Sequence, residues 1–507
     1  MKSHSKISPL TRPIPAARQS TRRHYGVHPY FTRRPPNVVR KYILHYSNEG
    51  ERVLDPFGGS GVAAIEAFLE NRIGIQNDIN PFANFIAQGI VDLAKGDLSR
   101  YKNVLSSLKD RCERRLLAIA DADESRVQEI LATMDLPPNV ELPSDSDART
   151  YHDLFTPRQL CSLALLKTEI DCIEDEYAKS AMRLAWSATL AKLNRTFLSA
   201  EGRAESRGGS SIFSIYRYKI ARKPVELPAW KTFSERALNI LAAKEEIERA
   251  IDLKRRTSGW SGTFQARSCD VDELVDEFKN SVDYIFTDPP YGGHISYLDL
   301  SSLWTIWLGS APSRDTRERE MIVGGDLCIP ESTYIHRLGN SMRVCTQLLK
   351  QGRWLSVVFQ HWNINYFESI LSSITQEGAE LKAAVSQVGD PVWSMHKKKN
   401  KELVLAGELI LTFYKSGRVP KMKGQNGFNA QDRIRRVLAE TRADRIYSEG
   451  LFNDLIIAAW RNSAIHSLNI SRDEFTSLIE GSGWSYDSHH HCWVRQKTAR
   501  PSLFAVP

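Results

Sequence analysis

The chain has 507 residues, too many for one hydrophobic core, so we expect two or three domains. With 42% hydrophobic and 25% charged residues, the composition is typical of folded globular proteins and excludes a chain that is disordered throughout. The net charge is +8, but residues 1–48 carry ten Lys or Arg and no acid, which leaves about −2 on the rest. Such a basic start favours a polyanionic partner without establishing one.

Apolar runs and cysteines narrow the class further. No run approaches the roughly 18 to 20 apolar residues of a membrane span, so we expect no membrane contact. The seven cysteines form no C-x-x-C pair, which favours scattered thiols in a reducing compartment, the cytoplasm of a bacterial cell, over a disulfide or zinc framework. We expect no structural metal; His489-His490-His491-Cys492 has ligand-type residues, but adjacent side chains cannot all converge on one ion, which favours a hairpin tip.

The first elements along the chain are a basic arm and a βαβ unit. Residues 1–26 are rich in basic residues and proline, which predicts an extended arm. The patterns that follow predict a helix over 37–46, a strand over 52–54, a glycine turn over 55–61, a helix over 62–70 and a strand over 73–77. That order predicts the start of a parallel α/β sheet.

The later elements divide the sheet. Long helical patterns over 97–262, including an amphipathic run over 231–251, predict a helical insert. Strand patterns at 282–287, 354–359 and 408–414 predict that the sheet resumes over 263–416. After a Lys- and Gly-rich linker, residues 427–507 show three helical patterns and a hairpin, which predict a small winged-helix module. The expected architecture is therefore a Rossmann-like α/β sheet in two parts, 27–96 and 263–416, with a helical insert and a C-terminal helical domain.

The first motif that carries chemistry is Asp55-Pro56-Phe57-Gly58-Gly59-Ser60-Gly61, between the first strand and its helix. Glycines let the backbone pass close to a ligand, and a helix N-terminus offers free N–H groups to an anionic group. Asp78 ends the second strand, where a carboxylate in such folds accepts hydrogen bonds from ribose hydroxyls. The combination predicts a nucleotide-like cofactor.

The second motif is Asp288-Pro289-Pro290-Tyr291, directly after the apolar strand over 282–287. Ligands of open α/β sheets bind at the carboxyl ends of strands, so this loop is expected at the same edge as the glycine turn.

Together the two motifs resemble the S-adenosylmethionine-dependent amino-methyltransferases of nucleic acids, most closely the DNA adenine-N6 and cytosine-N4 enzymes. The resemblance covers 27–95 and 263–415. It implies S-adenosyl-L-methionine as cofactor and a catalytic loop made of Asp288, Pro289, Pro290 and Tyr291. It implies a cofactor site made of His28, Tyr30, Phe31 and Thr32; Asp55, Pro56, Phe57, Gly58, Gly59 and Gly61; Asp78 and Ile79; and Cys269, Asp270 and Asp288.

In this family the carboxylate matching Asp288 and the carbonyl matching Pro289 accept the two N–H groups of the target amine, and the residue matching Tyr291 stacks on a base flipped out of the duplex. Recognition of DNA sequence must come from another part of the chain. The insert segment 203–223 interleaves aromatic and basic residues, and we expect DNA contacts from Arg203, Arg207, Tyr216, Arg217, Lys219 and Arg222. A second basic run lies at 396–401.

The Asp at the head of the loop favours N6 of adenine as the target. Cytosine N4 remains open, because the glycine motif precedes the catalytic loop here with a large insertion between them, an unusual order for this loop type. Guanine N2 of RNA is a further alternative, since enzymes with that activity have both motifs in this order. A catalytically silent DNA-binding subunit is the alternative of a different class, and a restriction or defence protein is an open partner.

Overall fold

The computed structural model describes residues 4–17, 23–198, 209–221, 225–257, 259–293, 296–361, 363–388, 407–419, 429–465, 472–488 and 492–496. The basic run at 396–401, His294 and the histidines 489–491 lie outside these residues.

The helices of this part of the chain are α1 Pro36–Tyr46, α2 Val62–Leu69, α3 Pro81–Asp92, α4 Leu98–Asp121, α5 Glu124–Leu131, α6 Pro157–Asp171, α7 Glu176–Leu190, α8 Ser211–Ser214, α9 Ala229–Thr257, α10 Leu274–Phe278, α11 Tyr297–Thr305, α12 Arg314–Glu318, α13 Glu331–Leu348, α14 Ile364–Gln376, α15 Ala430–Glu440, α16 Ser448–Arg461 and α17 Arg472–Gly481.

The strands are β1 Arg52–Asp55, β2 Ile73–Asn77, β3 Phe197–Leu198, β4 Gly209–Ser210, β5 Thr263–Arg267, β6 Val282–Thr287, β7 Leu349–Phe359, β8 Ala379–Val388, β9 Gly407–Lys415, β10 Arg445–Ile446, β11 Trp484–Asp487 and β12 Cys492–Arg495.

A seven-stranded sheet with the order β5-β2-β1-β6-β7-β9-β8 organises the molecule. β5, β2, β1, β6 and β7 pair in parallel, whereas β9 runs antiparallel to both of its neighbours. The predicted α/β sheet is therefore confirmed. β5 and β8, the two edge strands, were not predicted, because they alternate apolar with polar or small residues and lack a continuous apolar run.

The two faces of the sheet bury two hydrophobic clusters. Val53 and Tyr284 belong to the cluster that also contains residues of α1, α2, α3 and the helices between β2 and β5. Leu54 and Ile285, one residue further along the same strands, belong to the cluster with α13, α14 and the C-terminal helices. Because successive strand residues point to opposite faces, the apolar runs of the central strands supply both clusters.

Helices α4 to α9 and the short strands β3 and β4 lie between β2 and β5 in sequence. α9 extends beyond the predicted run at both ends. At its C-terminal end the last turn carries basic residues rather than apolar ones, so the amphipathic pattern stops before the helix does. The segment at 211–221 reaches α11: the Tyr218 hydroxyl donates to the carbonyl of Leu300, 2.8 Å away, and accepts the Leu303 N–H at 3.0 Å. This segment is therefore packed directly against the helix that follows the Asp288 loop, residues 288–291.

The N-terminal arm lies against the body of the protein. The Leu10 N–H donates to the Tyr46 hydroxyl at 2.8 Å, and the Ile14 N–H donates to the Gln387 side chain at 3.0 Å. Residues 7–17 form no regular secondary structure, but the contacts with α1 and β8 distinguish this segment from a solvated tail.

The C-terminal segment contains α15, α16 and α17 and a three-stranded sheet of order β10-β12-β11. α16 packs against β8 and β9, and Trp484 and Trp493 are buried in the cluster on that face of the main sheet. In the described part of the chain, no helix combines the length and apolar character needed to cross a bilayer. All seven cysteines are free thiols.

The contact of α2 with β2 generates a stability prediction. A Cβ on Gly74 would lie 2.1 Å from the carbonyl oxygen of Ala64, so Gly74→Ala must displace the helix backbone. We expect the free energy of unfolding to fall by about 1 to 3 kcal/mol, measured by urea titration. Gly450→Ala in α16 is the matched control, because its Cβ would meet no atom within 4 Å. Equal stabilities of the two variants would contradict the close packing.

Candidate active site

A cavity of about 900 Å³ opens at the carboxyl ends of the central strands, and its wall includes both sequence motifs. β1 and β6 are parallel neighbours, with Leu54 opposite Ile285, and the order of the strands reverses between them. Ligands of open α/β sheets bind at such a reversal.

A buried hydrogen bond joins the two motifs. The Thr287 hydroxyl donates to Oδ1 of Asp55 at 2.9 Å, and the Phe57 N–H donates to the same oxygen at 3.2 Å. Burial, together with the nearby carboxylates of Asp288 and Asp78, raises the pKa of Asp55 to about 8 against the effect of these hydrogen bonds. The end of β1 and the end of β6 are thus held in one relative position.

The glycine turn passes beneath an aromatic ring. Gly59 has a φ of +51°, a conformation that side chains rarely adopt, and a Cβ there would lie 3.1 Å from Cε1 of Tyr30. The Gly59 N–H donates to Oδ2 of Asp78 at 2.8 Å, and its carbonyl accepts from the Gln76 amide at 2.9 Å. The turn therefore packs closely against the Tyr30 ring, and both residues line the cavity.

Asp78 ties the glycine turn to the next helix. Its Oδ1 accepts the Asn80 N–H at 2.8 Å, and burial raises its pKa to about 6. Each carboxylate oxygen has two lone pairs, so both can accept a further hydrogen bond from a hydroxyl group in the cavity.

The Asp288 loop, residues 288–291, is fixed by two tyrosines. The Tyr334 hydroxyl donates to the Pro290 carbonyl at 2.6 Å. The Tyr291 hydroxyl donates to Oδ1 of Asp288 at 2.7 Å, and its ring meets Phe359 edge-on at 5.1 Å. The rigid prolines and these contacts hold the loop acceptors in place before any ligand binds.

Arg34 lies over this loop and was not among the predicted residues. Its guanidinium donates to Asp288 and to the Tyr291 hydroxyl, and it forms an ion pair with Glu408 at the start of β9. Burial opposes its charge, but Asp288 and Tyr291 raise the pKa of Arg34 above its ordinary value. Only its place next to the predicted segment 28–32 could have indicated it, because Glu408 is far away in sequence.

Glu320 is a second cavity residue that the sequence did not indicate. Its carboxylate accepts the Ser296 hydroxyl at 2.8 Å and the Leu298 N–H at 3.0 Å, so it anchors the start of α11 just after the catalytic loop. Burial raises the pKa of Glu320 to about 7, although these hydrogen bonds act in the opposite direction.

The cavity wall has an excess of acid. It contains eight carboxyl groups against four guanidinium groups: Asp55, Asp78, Asp270, Asp272, Glu273, Asp288, Glu320 and Glu408 against Arg33, Arg34, Arg319 and Arg337. Electrostatic complementarity therefore favours a ligand that carries positive charge.

Most of the predicted cofactor and catalytic residues line this cavity: Tyr30, Thr32, Asp55, Pro56, Phe57, Gly58, Gly59, Asp78, Ile79, Cys269, Asp270, Asp288, Pro289, Pro290 and Tyr291. His28, Phe31 and Gly61 lie behind the wall. His28 is fully buried, its Nε2 is 3.0 Å from the Ser187 hydroxyl, and burial lowers its pKa to about 3. Phe31 packs against Tyr297, and Gly61 begins α2. They shape the wall from outside.

The predicted DNA-contacting residues have different settings. Arg203, Arg207 and Arg222 lie outside the described residues. The Arg217 guanidinium forms an ion pair with Asp145 at 3.1 Å, and Lys219 is exposed. Tyr216 is half-buried and close enough to Tyr297 to raise the pKa of that tyrosine, after the larger effect of burial.

Comparison with known proteins finds a family match for the region that contains the glycine turn. Residues 10–88 match the N6/N4 family model described as DNA methylase. The matched segment belongs to the amino-methyltransferase family. It contains the arm from Leu10, α1, β1, the glycine turn and β2, and it ends before the catalytic loop.

Two curated relatives agree with this assignment. The chain is 32% identical over 96 residues to the Type II methyltransferase M.MjaII of Methanocaldococcus jannaschii, and this stretch covers 18% of this chain and 17% of the relative. It is 36% identical over 86 residues to the Type II methyltransferase M.HpaI of Haemophilus parainfluenzae, which covers 17% of this chain and 25% of the relative. The matches thus span at most a quarter of the length of either relative.

The burial of Glu320 generates a pH prediction. Because the folded pKa of about 7 lies above the ordinary 4.5, its contribution to stability is complete below pH 4.5 and is lost as the pH rises through 7. Glu320→Gln removes this titration. We expect the unfolding free energy of the unmodified protein to fall by roughly 3 kcal/mol relative to the variant between pH 4.5 and 8.

Chemical denaturation of both proteins at several pH values measures the difference, and the other buried acids cancel because both proteins contain them. Parallel pH profiles would contradict the placement of a buried, titrating carboxyl at this position.

Proposed function

We propose that the protein transfers a methyl group from S-adenosyl-L-methionine to the exocyclic amine of a base in DNA, at N6 of adenine. The observation that carries the proposal is the Thr287–Asp55 hydrogen bond, which joins the glycine turn and the Asp288 loop at one cavity. The family of the matched segment and the methyltransferase names of both relatives support the same reaction class.

The cavity residues fit such a cofactor. When bound, it supplies an electrophilic methyl group on a positively charged sulfur. The acid excess of the wall suits that charge and the ammonium group of the methionine part. Asp78 has acceptor capacity for ribose hydroxyls, and Gly59, which has no side chain, lines the cavity with its backbone.

The chemistry at the other end requires two hydrogen-bond acceptors. An exocyclic amine is a weak nucleophile because its lone pair is delocalised into the ring. The Asp288 carboxylate and the Pro289 carbonyl would each accept one of its N–H groups, which localises the lone pair toward the methyl donor. The backbone of the loop, fixed through Tyr334 and the prolines, holds these acceptors at fixed positions.

The target base must leave the duplex to reach this loop, because the amine is inaccessible inside stacked DNA. We propose that the base is flipped and that Tyr291 stacks on it after breaking the hydrogen bond to Asp288. The loop header Asp288 is the feature that favours adenine, and cytosine N4 is the competing target.

For DNA recognition we propose the insert, 97–262, and in particular the segment from 203 to 223. Its described part packs on α11 through Tyr218, which supports a position beside the catalytic loop. Arg217 would have to leave Asp145 to contact DNA, whereas Lys219 is already exposed.

For the C-terminal domain, 427–507, we propose a winged-helix module that adds DNA affinity. Its order of helix, strand, two helices and two strands supports this assignment. Among the described residues of this domain, exposed arginines lie on α15 and near β10, at Arg435, Arg436, Arg442 and Arg445, and single ones lie on α16 and β12, at Arg461 and Arg495. We therefore expect phosphate contacts from the first helix of the module.

Incubation of the protein with methyl-labelled S-adenosylmethionine and either DNA or RNA, followed by nucleoside analysis, tests the proposal. N6-methyladenine in DNA is the expected product. N4-methylcytosine would correct the base, N2-methylguanine in RNA would correct the nucleic acid, and binding without any label transfer would indicate a silent DNA-binding subunit.

Asp288→Ala should reduce methyl transfer by about 10³-fold or more, because the acceptor that orients the amine is lost. Cofactor affinity should stay within a few-fold, since the carboxylate acts on the base. Single-turnover rates and calorimetric titration measure the two effects. Comparable turnover in the variant would exclude Asp288 from the reaction.

Asp78→Ala and Gly59→Val, unlike Asp288→Ala, should change the affinity for the cofactor. The first variant removes a ribose acceptor and the second places a side chain between the turn and Tyr30, so each should weaken cofactor binding by about tenfold or more. Calorimetry with S-adenosylhomocysteine measures the affinity without turnover. Unchanged affinity in both variants would refute the cofactor site.

A further inference from the structure

In the DNA-free protein the proposed base acceptor is already occupied. Asp288 accepts Nε of Arg34 on one carboxylate oxygen and the Tyr291 hydroxyl on the other. Both partners would obstruct a base that approaches the loop, because Arg34 and Asp288 are only 18% and 22% exposed. Each Asp288 oxygen keeps a second lone pair, but because these two partners stand in the way, a target amine would have to displace one of the donors.

The guanidinium of Arg34 shares three properties with the amine-bearing edge of a base. It is planar, it presents N–H donors to the Asp288 carboxylate, and its central carbon lies 5.8 Å from the centre of the Tyr291 ring. A stacked base that donates its amine to Asp288 would need the same acceptor and the same ring.

The other side of Arg34 contacts a group outside the loop. Glu408, the second residue of β9, forms an ion pair with Arg34 and also lines the cavity. When Arg34 leaves Asp288, this carboxylate can retain the guanidinium, so its charge stays paired during the exchange.

We propose that Arg34 occupies the target-base position in the free protein and that Glu408 holds Arg34 when the base displaces it. This inference rests on the proposed function for the identity of the displacing group. Arg34 would then be a selectivity residue: only a base whose edge donates hydrogen bonds to Asp288 can replace the contact that it breaks.

Binding of single strands tests the proposal independently of methyl transfer. Fluorescence anisotropy at fixed salt would compare a short oligo(dA) strand with an abasic strand of the same length, both in the presence of S-adenosylhomocysteine. Arg34→Met keeps the apolar stem and removes the competing donor. We expect it to increase the affinity for oligo(dA) by about tenfold relative to the abasic strand, roughly the effect of one charge-assisted hydrogen bond.

Glu408→Gln should act in the opposite direction, because Arg34 loses its alternative partner and stays on Asp288. The double variant Arg34→Met/Glu408→Gln should match the Arg34 variant alone, since Glu408 acts only through Arg34. Arg34→Met alone leaves the Asp288 and Glu408 carboxylates without the cation that pairs with both of them. The double variant removes one of these charges, so the test remains valid if the single variant folds poorly.

If Arg34→Met lowers the affinities for oligo(dA) and for the abasic strand by the same factor, Arg34 is a phosphate contact. If both affinities stay unchanged, Arg34 does not compete with the base. Either result overturns this proposal while leaving the proposed function intact. The proposed function fails instead if the unmodified protein transfers no label to nucleic acid.

Discussion

The hydrogen bond from Thr287 to Asp55 joins residues that are 232 positions apart in sequence. It exists because β1 and β6 pair in parallel and end at the same edge, at the point where the strand order reverses. Around it the chain places two more carboxyl groups with raised pKa values, the half-buried Asp78 and the buried Glu320. Their ionisation is unfavourable without a cation, so the electrostatic character of the cavity follows from the same strand pairing that forms it.

The parts of the site that the sequence predicted are those with a local pattern. The glycine turn and the Asp288 loop each follow an apolar strand directly, and the parallel arrangement of those strands brings their ends together. Most of the residues assigned from the family resemblance consequently line one cavity. His28 is an exception with a physical reason: its imidazole is directed at Ser187 on α7, a contact that depends on how the helices after β2 pack.

The parts that could not be predicted depend on contacts between distant segments. Arg34 and Glu408 are 374 positions apart and come into contact only when β9 lies beside the Asp288 loop. Glu320 follows α12, in a segment with no motif, and its role comes from the buried Ser296 hydroxyl and Leu298 N–H at the start of α11. β5 and β8 lack an apolar run because they are the edge strands of the sheet. In each case the missing information was tertiary, and no local propensity encodes it.

The strand order also affects when this molecule can fold. β1 pairs with β2 about twenty residues later, but its other neighbour, β6, follows the whole set of helices from α4 to α9. At about 5 to 20 residues per second, a ribosome releases β6 roughly 10 to 50 seconds after β1. During that interval the nascent chain presents one unpaired edge of β1 and an apolar face of α2, which is buried along its entire length in the finished protein. The contact of the arm with Gln387 forms later still, and Glu408 of the cavity wall follows it in the chain, so the cavity is completed long after its first strand has been made.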